Sequence, residues 1–240
     1  MTFTKKSLAT VLVAALLFSF SACGNSTTGG NTTISNSTSQ PNESIESNSD
    51  SAIEENAEAG DEKILIAYFT AAENSGVDAI SSASYTMING QAVGRIRAVA
   101  NWIAEETGGE LFSIRTEKVY PTDCGELIDY ADQEQAENAR PVLTSHIENL
   151  DQYDTIFIGY PNWWADMPQA LYSFFDEYDF SGKTIIPFNV HNGSRFSGTI
   201  QTIQELEPDA VVIEDGFTVS EHDVADAASD VTTWLNELGY

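Results

Sequence analysis

Asp154-Thr-Ile-Phe-Ile-Gly159 runs directly into Tyr160-Pro-Asn-Trp-Trp-Ala-Asp-Met-Pro-Gln-Ala-Leu171. This is a β-type apolar run, then a proline-containing loop with two adjacent tryptophans, then the opening of a helical pattern at Met167-Pro168. Two bulky aromatics in a short loop at the carboxyl end of a strand are costly unless something covers them. In an open α/β sheet that place is where ligands bind, and the ring faces offer a flat apolar wall suited to a flat aromatic occupant. The plainer alternative is that both rings close one end of the core.

Working outward, apolar runs and amphipathic stretches alternate from Lys63 onward. Ile64-Leu-Ile-Ala-Tyr-Phe69 is nearly continuous in its apolar character, as expected of a strand buried on both faces. Val93, Ile96, Val99, Ala100 and Ile103 recur at helical spacing until Gly108-Gly109 stops the helix. Strands are predicted at 110–115, 152–159, 184–190 and 210–214. Between the second and third of the five strands lie one or two helices within 125–150. Further helices follow at 167–178, at Phe196, Ile200, Ile203 and Leu206, and at Val224, Ala227, Val231, Leu235 and Leu238. Alternating βα units imply a doubly wound five-stranded parallel sheet with helices on both faces. Five units without a sixth strand fit the order 2-1-3-4-5, in one domain over 61–240.

The residues before this domain are of another kind. Lys5 and Lys6 form a basic segment, and residues 8–20 are apolar but too short to span a bilayer comfortably. Ser21-Ala22-Cys23 follows, so residues 1–22 are predicted to be a signal peptide, with Cys23 as a lipidated first residue or the cut falling as an ordinary cleavage near Ala22. Residues 23–60 are rich in Ser, Thr, Asn, Gly and Glu and are predicted to be a disordered, lipid-anchored tether, because they can bury little apolar surface. Cys124 is then the only other cysteine, which excludes an intrachain disulfide and a thiolate metal cluster in the mature chain. A net charge of −27 argues against nucleic acid and against adsorption to anionic headgroups. A partner would present a basic or neutral face.

Three loops leave the carboxyl ends of strands one, three and four, and the 2-1-3-4-5 order brings them to one edge. The first begins at Thr70 and Ser75 and reaches Asn89-Gly90-Gln91, expected at the start of the first helix. Hydroxyls, amides and a helix N-terminus suit a phosphate. The second holds Pro161, Asn162, Trp163 and Trp164. The third holds His191, Asn192 and Gly193. A phosphate cradle, an aromatic wall and a polar backbone wall together suit flavin mononucleotide (FMN).

Several stretches carry a family likeness: Ile64-Leu-Ile-Ala-Tyr-Phe-Thr70, residues 160–168, Phe180-Ser-Gly-Lys-Thr-Ile-Ile-Pro-Phe188 and His191-Asn-Gly-Ser194. Residues 103–114 and 130–141 add to it. On these the chain resembles the flavodoxin-like superfamily, and within it the bacterial flavodoxin-like lipoprotein branch. The resemblance implies a flavodoxin-like three-layer sandwich that binds FMN and transfers electrons outside the cytoplasmic membrane. The electron partner would be a protein or a small-molecule acceptor. It also implies that Thr70 and Asn89-Gly90-Gln91 face the phosphate, with the second and third loops lining the isoalloxazine. Stacking and acidic surroundings would lower the flavin potential.

The chain departs from the family pattern where Asn89-Gly90-Gln91 stands for the usual Gly-Asn-Thr, where Asn192 replaces a common glycine, and where about twenty residues follow Thr70. The alternative is a cofactor-free cell-surface binding module on a remodelled flavodoxin-like fold. Ser181-Gly-Lys-Thr184 mimics the end of a P-loop, but Glu177 stands where the first glycine belongs and a strand follows. No histidine or carboxylate cluster has metal-ligand spacing.

Overall fold

The computed structural model describes residues 63–75 and 85–240. The predicted signal peptide, Cys23 and the tether lie outside the described residues. Among the described residues no helix is long and apolar enough to cross a membrane.

The chain runs through β1 (Ile64–Tyr68), a short α1 (Ala71–Asn74), β2 (Tyr85–Ile88), β3 (Gln91–Gly94), α2 (Arg95–Thr107), β4 (Glu110–Ser113) and α3 (Cys124–Ala136). It continues through β5 (Thr155–Pro161), α4 (Gln169–Glu177), β6 (Thr184–His191), α5 (Thr199–Leu206), β7 (Val211–Val212), β8 (Phe217–Ser220) and α6 (Ala228–Leu238). The main sheet is parallel in the order β4-β1-β5-β6-β7, with β8 also paired to β6. This is the predicted 2-1-3-4-5 arrangement.

Every residue of β1 and β5 is buried, as their unbroken apolar runs require. Alternate residues feed two cores. Leu65, Ala67, Ile156 and Ile158 pack with Leu127, Leu171, Phe174 and Ile203 beneath α3, α4 and α5. Ile64, Ile66, Tyr68 and Phe157 pack with Ile96, Val99, Ile103, Val231 and Leu235 beneath α2 and α6. Gly108 ends α2 in the left-handed conformation at φ 70°, with its N–H bonded to the Ala104 carbonyl.

Three elements differ from the sequence expectation. The fifth strand position is split: β7 pairs with Thr184 and Ile185, and β8 with Phe188 to His191. Pro187 sits between the two pairings and lacks the N–H that would continue the ladder. Its carbonyl lies so close to Gly216 that a Cβ there would meet it at 2.4 Å.

Strand β5 runs on to Pro161 instead of ending at Gly159. Gly159 is needed because a Cβ would stand 2.1 Å from Cζ of Phe188 on the neighbouring strand.

Asn89-Gly90-Gln91 does not open the first helix. Asn89 and Gly90 have φ of 51° and 79° and form the tight turn of an antiparallel β2–β3 hairpin, with Ile88 paired to Gln91. Two successive positive φ values are what a two-residue hairpin turn demands, and Asn-Gly meets that demand best. The helix starts six residues beyond Asn89, at Arg95, with Gly94 as its N-cap.

Candidate functional site

The carboxyl ends of β1, β5 and β6 lie side by side, so the segments beginning at Thr70, Asn162 and His191 meet at one edge. Backbone hydrogen bonds stitch them together: Phe69 N–H to Gly159 O at 2.9 Å, and Asn162 N–H to Val190 O at 2.9 Å. The break in strand order between β1 and β5 falls at the same place, where open α/β sheets bind ligands.

Thr70 directly follows β1 and is fully buried. Its hydroxyl has no hydrogen-bond partner among the described residues. Asn74 pins this segment. Its amide donates to the carbonyls of Thr70 (2.9 Å) and Ile114 (3.1 Å), and its oxygen accepts from the Thr116 N–H (2.9 Å). Ser75 is buried at the end of α1.

At the end of β5, Asn162 is 8 % exposed. Its amide donates to the Arg195 carbonyl (2.7 Å) and to Ser197 Oγ (3.3 Å), while its Oδ1 has no partner among the described residues. Asn189, fully buried in β6, donates to the same Arg195 carbonyl at 2.9 Å and accepts from Thr218 at 2.6 Å. The third loop is thereby held to the second. Buried polar atoms are nearly always paired, so Thr70 Oγ1 and Asn162 Oδ1, at the ends of adjacent strands and without a partner among the described residues, are the candidates for contact with a ligand. One can donate a hydrogen bond and the other only accepts.

The two tryptophans have separate roles. Trp163 turns inward, edge-on to Phe69 at 5.7 Å between centroids and tilted against Tyr120 at 5.9 Å. Trp164 is 52 % exposed. It sits with Ala165 in a two-residue turn closed by reciprocal 2.9 Å hydrogen bonds between Trp163 and Asp166, and both central residues have positive φ, 51° and 62°. Side chains rarely adopt that backbone, so the surroundings must hold it. Trp164 Nε1 donates to the Ile128 carbonyl at 3.1 Å, and Asp166 accepts from the Met167 N–H (2.7 Å) and the Tyr172 hydroxyl (2.8 Å). The strained turn presents one large ring to the surface beside the edge.

His191 ends β6 with its Nδ1 accepting the Gly193 N–H at 2.9 Å. That bond puts the proton of the neutral ring on Nε2, leaving an N–H donor. Burial, with Arg195 adding to it and Asp223 opposing, holds the imidazole pKa below its ordinary value. Asn192 and Gly193 are exposed, and Gly193 at φ 91° takes a backbone only glycine adopts readily.

The segments carrying Thr70, Asn162 and His191–Gly193 therefore meet at one edge, with Trp164 two residues beyond Asn162 and bonded to α3, whereas Asn89, Gly90 and Gln91 form an exposed hairpin tip. Sequence reasoning missed Arg95 and Arg97, which occupy the true first turn of α2. A partial signal was present: Asn-Gly directly after Tyr85-Thr-Met-Ile88, a short run rich in β-formers, is a hairpin mark, although Gln91-Ala-Val-Gly94 on its other side is not a strong strand sequence. No group of histidine, cysteine, aspartate and glutamate among the described residues is arranged for a metal.

A flavodoxin family model matches residues 85–238. The crystal structure of a candidate flavoprotein from Bacteroides uniformis is 27 % identical, with a TM-score of 0.56, over 73 % of this chain and 98 % of its own. One from Bacteroides eggerthii is 25 % identical, also with a TM-score of 0.56, over 74 % and 98 %. A Lactobacillus acidophilus flavoprotein in complex with FMN, 18 % identical with a TM-score of 0.51 over 72 % and 99 %, shares the fold. No functionally curated protein matches the chain.

Proposed function

The chain belongs to the flavodoxin family, and on that premise we propose that its folded part binds FMN and transfers electrons. The observation that carries this reading is the pair of buried polar atoms, Thr70 Oγ1 and Asn162 Oδ1, that have no partner among the described residues and lie at the ends of neighbouring strands. They fit the cofactor chemically. A hydroxyl donor suits a phosphate oxygen, and a carbonyl acceptor suits a flavin N–H or a ribityl hydroxyl. The exposed Trp164 ring supplies an apolar face, and His191 offers its Nε2–H. Similarity to a flavoprotein in complex with FMN supports the same cofactor.

Bound FMN would supply the electron uptake and release. The chain's own contribution is to hold the ring system against Trp164, to satisfy its polar edge from the Asn162 and His191 segments, and to anchor the phosphate near Thr70. An electron-transfer partner would meet a chain of net charge −27, so a protein partner should bring a basic or neutral face.

Thr70→Val keeps the shape of the buried side chain and removes its hydroxyl. FMN affinity should fall by about 1–2 kcal/mol through one lost charge-assisted hydrogen bond, while riboflavin, which has no phosphate, should bind unchanged. Fluorescence titration with both flavins reads the difference. An equal loss for both, or none for either, would remove Thr70 from the phosphate site.

The reading places this domain on the outer face of the cytoplasmic membrane, held by lipid on Cys23. It is supported by the basic, apolar and small-residue succession of residues 5–23. Cys23→Ser should then release the protein from the membrane fraction or leave it unprocessed. Lipid labelling that persists in that variant would contradict the anchor.

A further inference from the structure

The last turns of α3 and the segment that follows it line a cavity of about 500 Å³, to which none of the strand-edge residues contributes. Tyr130 and Glu134, four residues apart on α3, share one face of the helix and both line it. After the helix, Asn138 at φ 50° turns the chain back, and the Ala139 N–H bonds the Glu134 carbonyl at 2.9 Å. Ala139, Pro141 and Val142 then supply an apolar wall. The Glu117 N–H donates to the Val142 carbonyl at 2.8 Å, which brings Lys118 to the same cavity.

Glu134 is only 6 % exposed, and carboxylates are seldom so buried unless paired. Its Oε2 accepts the Tyr120 hydroxyl at 3.1 Å, a neutral donor. No cation among the described residues forms an ion pair with it. Burial pushes its pKa up, and the Tyr130 and Tyr120 hydroxyls and the Lys118 charge only oppose that rise. The exposed Lys118 places its Nζ 4.4 Å from the centroid of the Tyr130 ring, where the ring quadrupole attracts a cation. The chain's own ammonium thus marks a cation position beside a buried carboxylate.

Arg140 also lines the cavity, but its Nε pairs with Asp176 at 2.7 Å and its guanidinium lies over Tyr172 at 5.0 Å. The remaining charges, Glu117, Glu134 and Glu137 against Lys118, leave the lining net negative.

We propose that this cavity is a second ligand site, which binds an organic primary ammonium carried on a short apolar chain. The ammonium lies against the Glu134 carboxylate over the Tyr130 ring, and the hydrocarbon part covers Pro141 and Val142. Val142 is 63 % exposed without such cover. A buried carboxylate requires a paired cation, an aromatic face attracts one, and an apolar wall suits a hydrocarbon body. An anion would meet like charge. Lys118 has a flexible four-carbon stem, so its ammonium can leave the ring to an incoming amine and remain solvated. The site does not depend on the flavin reading, although it adjoins that edge through the aromatic contacts of Tyr130 with Tyr120 (5.4 Å) and of Tyr120 with Trp163 (5.9 Å).

Calorimetric titration of the full chain with n-butylamine, n-butanol and butyrate, at about 0.15 M salt to screen distant charges, tests the assignment. Butylamine should bind saturably and one to one, and the alcohol and the carboxylate at least about tenfold more weakly. Glu134→Gln should weaken butylamine at least about tenfold. Lys118→Met removes the internal competitor and should tighten butylamine about tenfold, with FMN and riboflavin binding unchanged. Lys63→Met makes the same change in net charge outside the cavity and should leave butylamine binding as in the parent. Equal binding of amine and alcohol, parental amine affinity in Glu134→Gln, or equal tightening by the two lysine variants overturns the proposal. Lys118 lies outside α3 and is exposed, so its variant decides the matter if Glu134→Gln folds poorly. A chain that binds butylamine but neither flavin sinks the flavin reading alone.

Discussion

Trp163→Ala should cost about 3 kcal/mol of unfolding free energy, whereas Trp164→Ala should leave stability within about 0.5 kcal/mol of the parent. The neighbours in sequence differ because the turn places them in different media. Trp163 contacts Phe69 and Tyr120 within the core cluster, so its removal opens a cavity beneath the strand edge. Trp164 is 52 % exposed and surrenders little buried area. For FMN the order reverses in cause: Trp164→Ala should lose roughly 1–3 kcal/mol of affinity as a stacking face disappears. Urea unfolding and flavin titration of the two variants separate these effects. Equal stability losses, or a Trp164 variant that binds FMN as tightly as the parent, would contradict the division.

The second large effect is expected at Asn74. Its side chain is buried and bonds four groups: the carbonyls of Thr70 and Ile114, and the N–H and hydroxyl of Thr116. Asn74→Ala strips partners from three backbone groups, and the loss should be about 3 kcal/mol or more. The same change unties Thr70 from the segment after β4, so FMN affinity should fall more than riboflavin affinity. Asn74→Asp retains only the acceptor and should recover part of the stability. A stable Asn74→Ala variant with parental flavin binding would show that this clamp does not position the cradle.

The architecture was legible because its strands are buried on both faces. Ile64-Leu-Ile-Ala-Tyr68 and Thr155-Ile-Phe-Ile-Gly159 announce central parallel strands by unbroken apolar character, and Gly108 announces the end of α2. The aromatic loop and the third loop were found for the same reason, since each directly follows such a strand. What was not legible depends on single dihedral and steric facts. Asn89-Gly90 reads equally as a helix-opening loop or a hairpin turn until Tyr85-Thr-Met-Ile88 is weighed as a strand. The broken edge strand follows from one missing N–H at Pro187. The division of labour between Trp163 and Trp164 follows from two positive φ values that no composition reveals. Arg95 and Glu221, 126 positions apart in the chain, become neighbours only through the fold.

The edge where the Thr70, Asn162 and His191 segments meet is proposed to be a flavin site. The most direct test is the visible absorption of the full chain, purified and then titrated with FMN. Flavin absorbance in the isolated protein, or saturable one-to-one reconstitution with quenching of FMN fluorescence that Trp164→Ala and Thr70→Val weaken, is the predicted result. A colourless chain that FMN cannot reconstitute would contradict it and return the fold to the cofactor-free binding module.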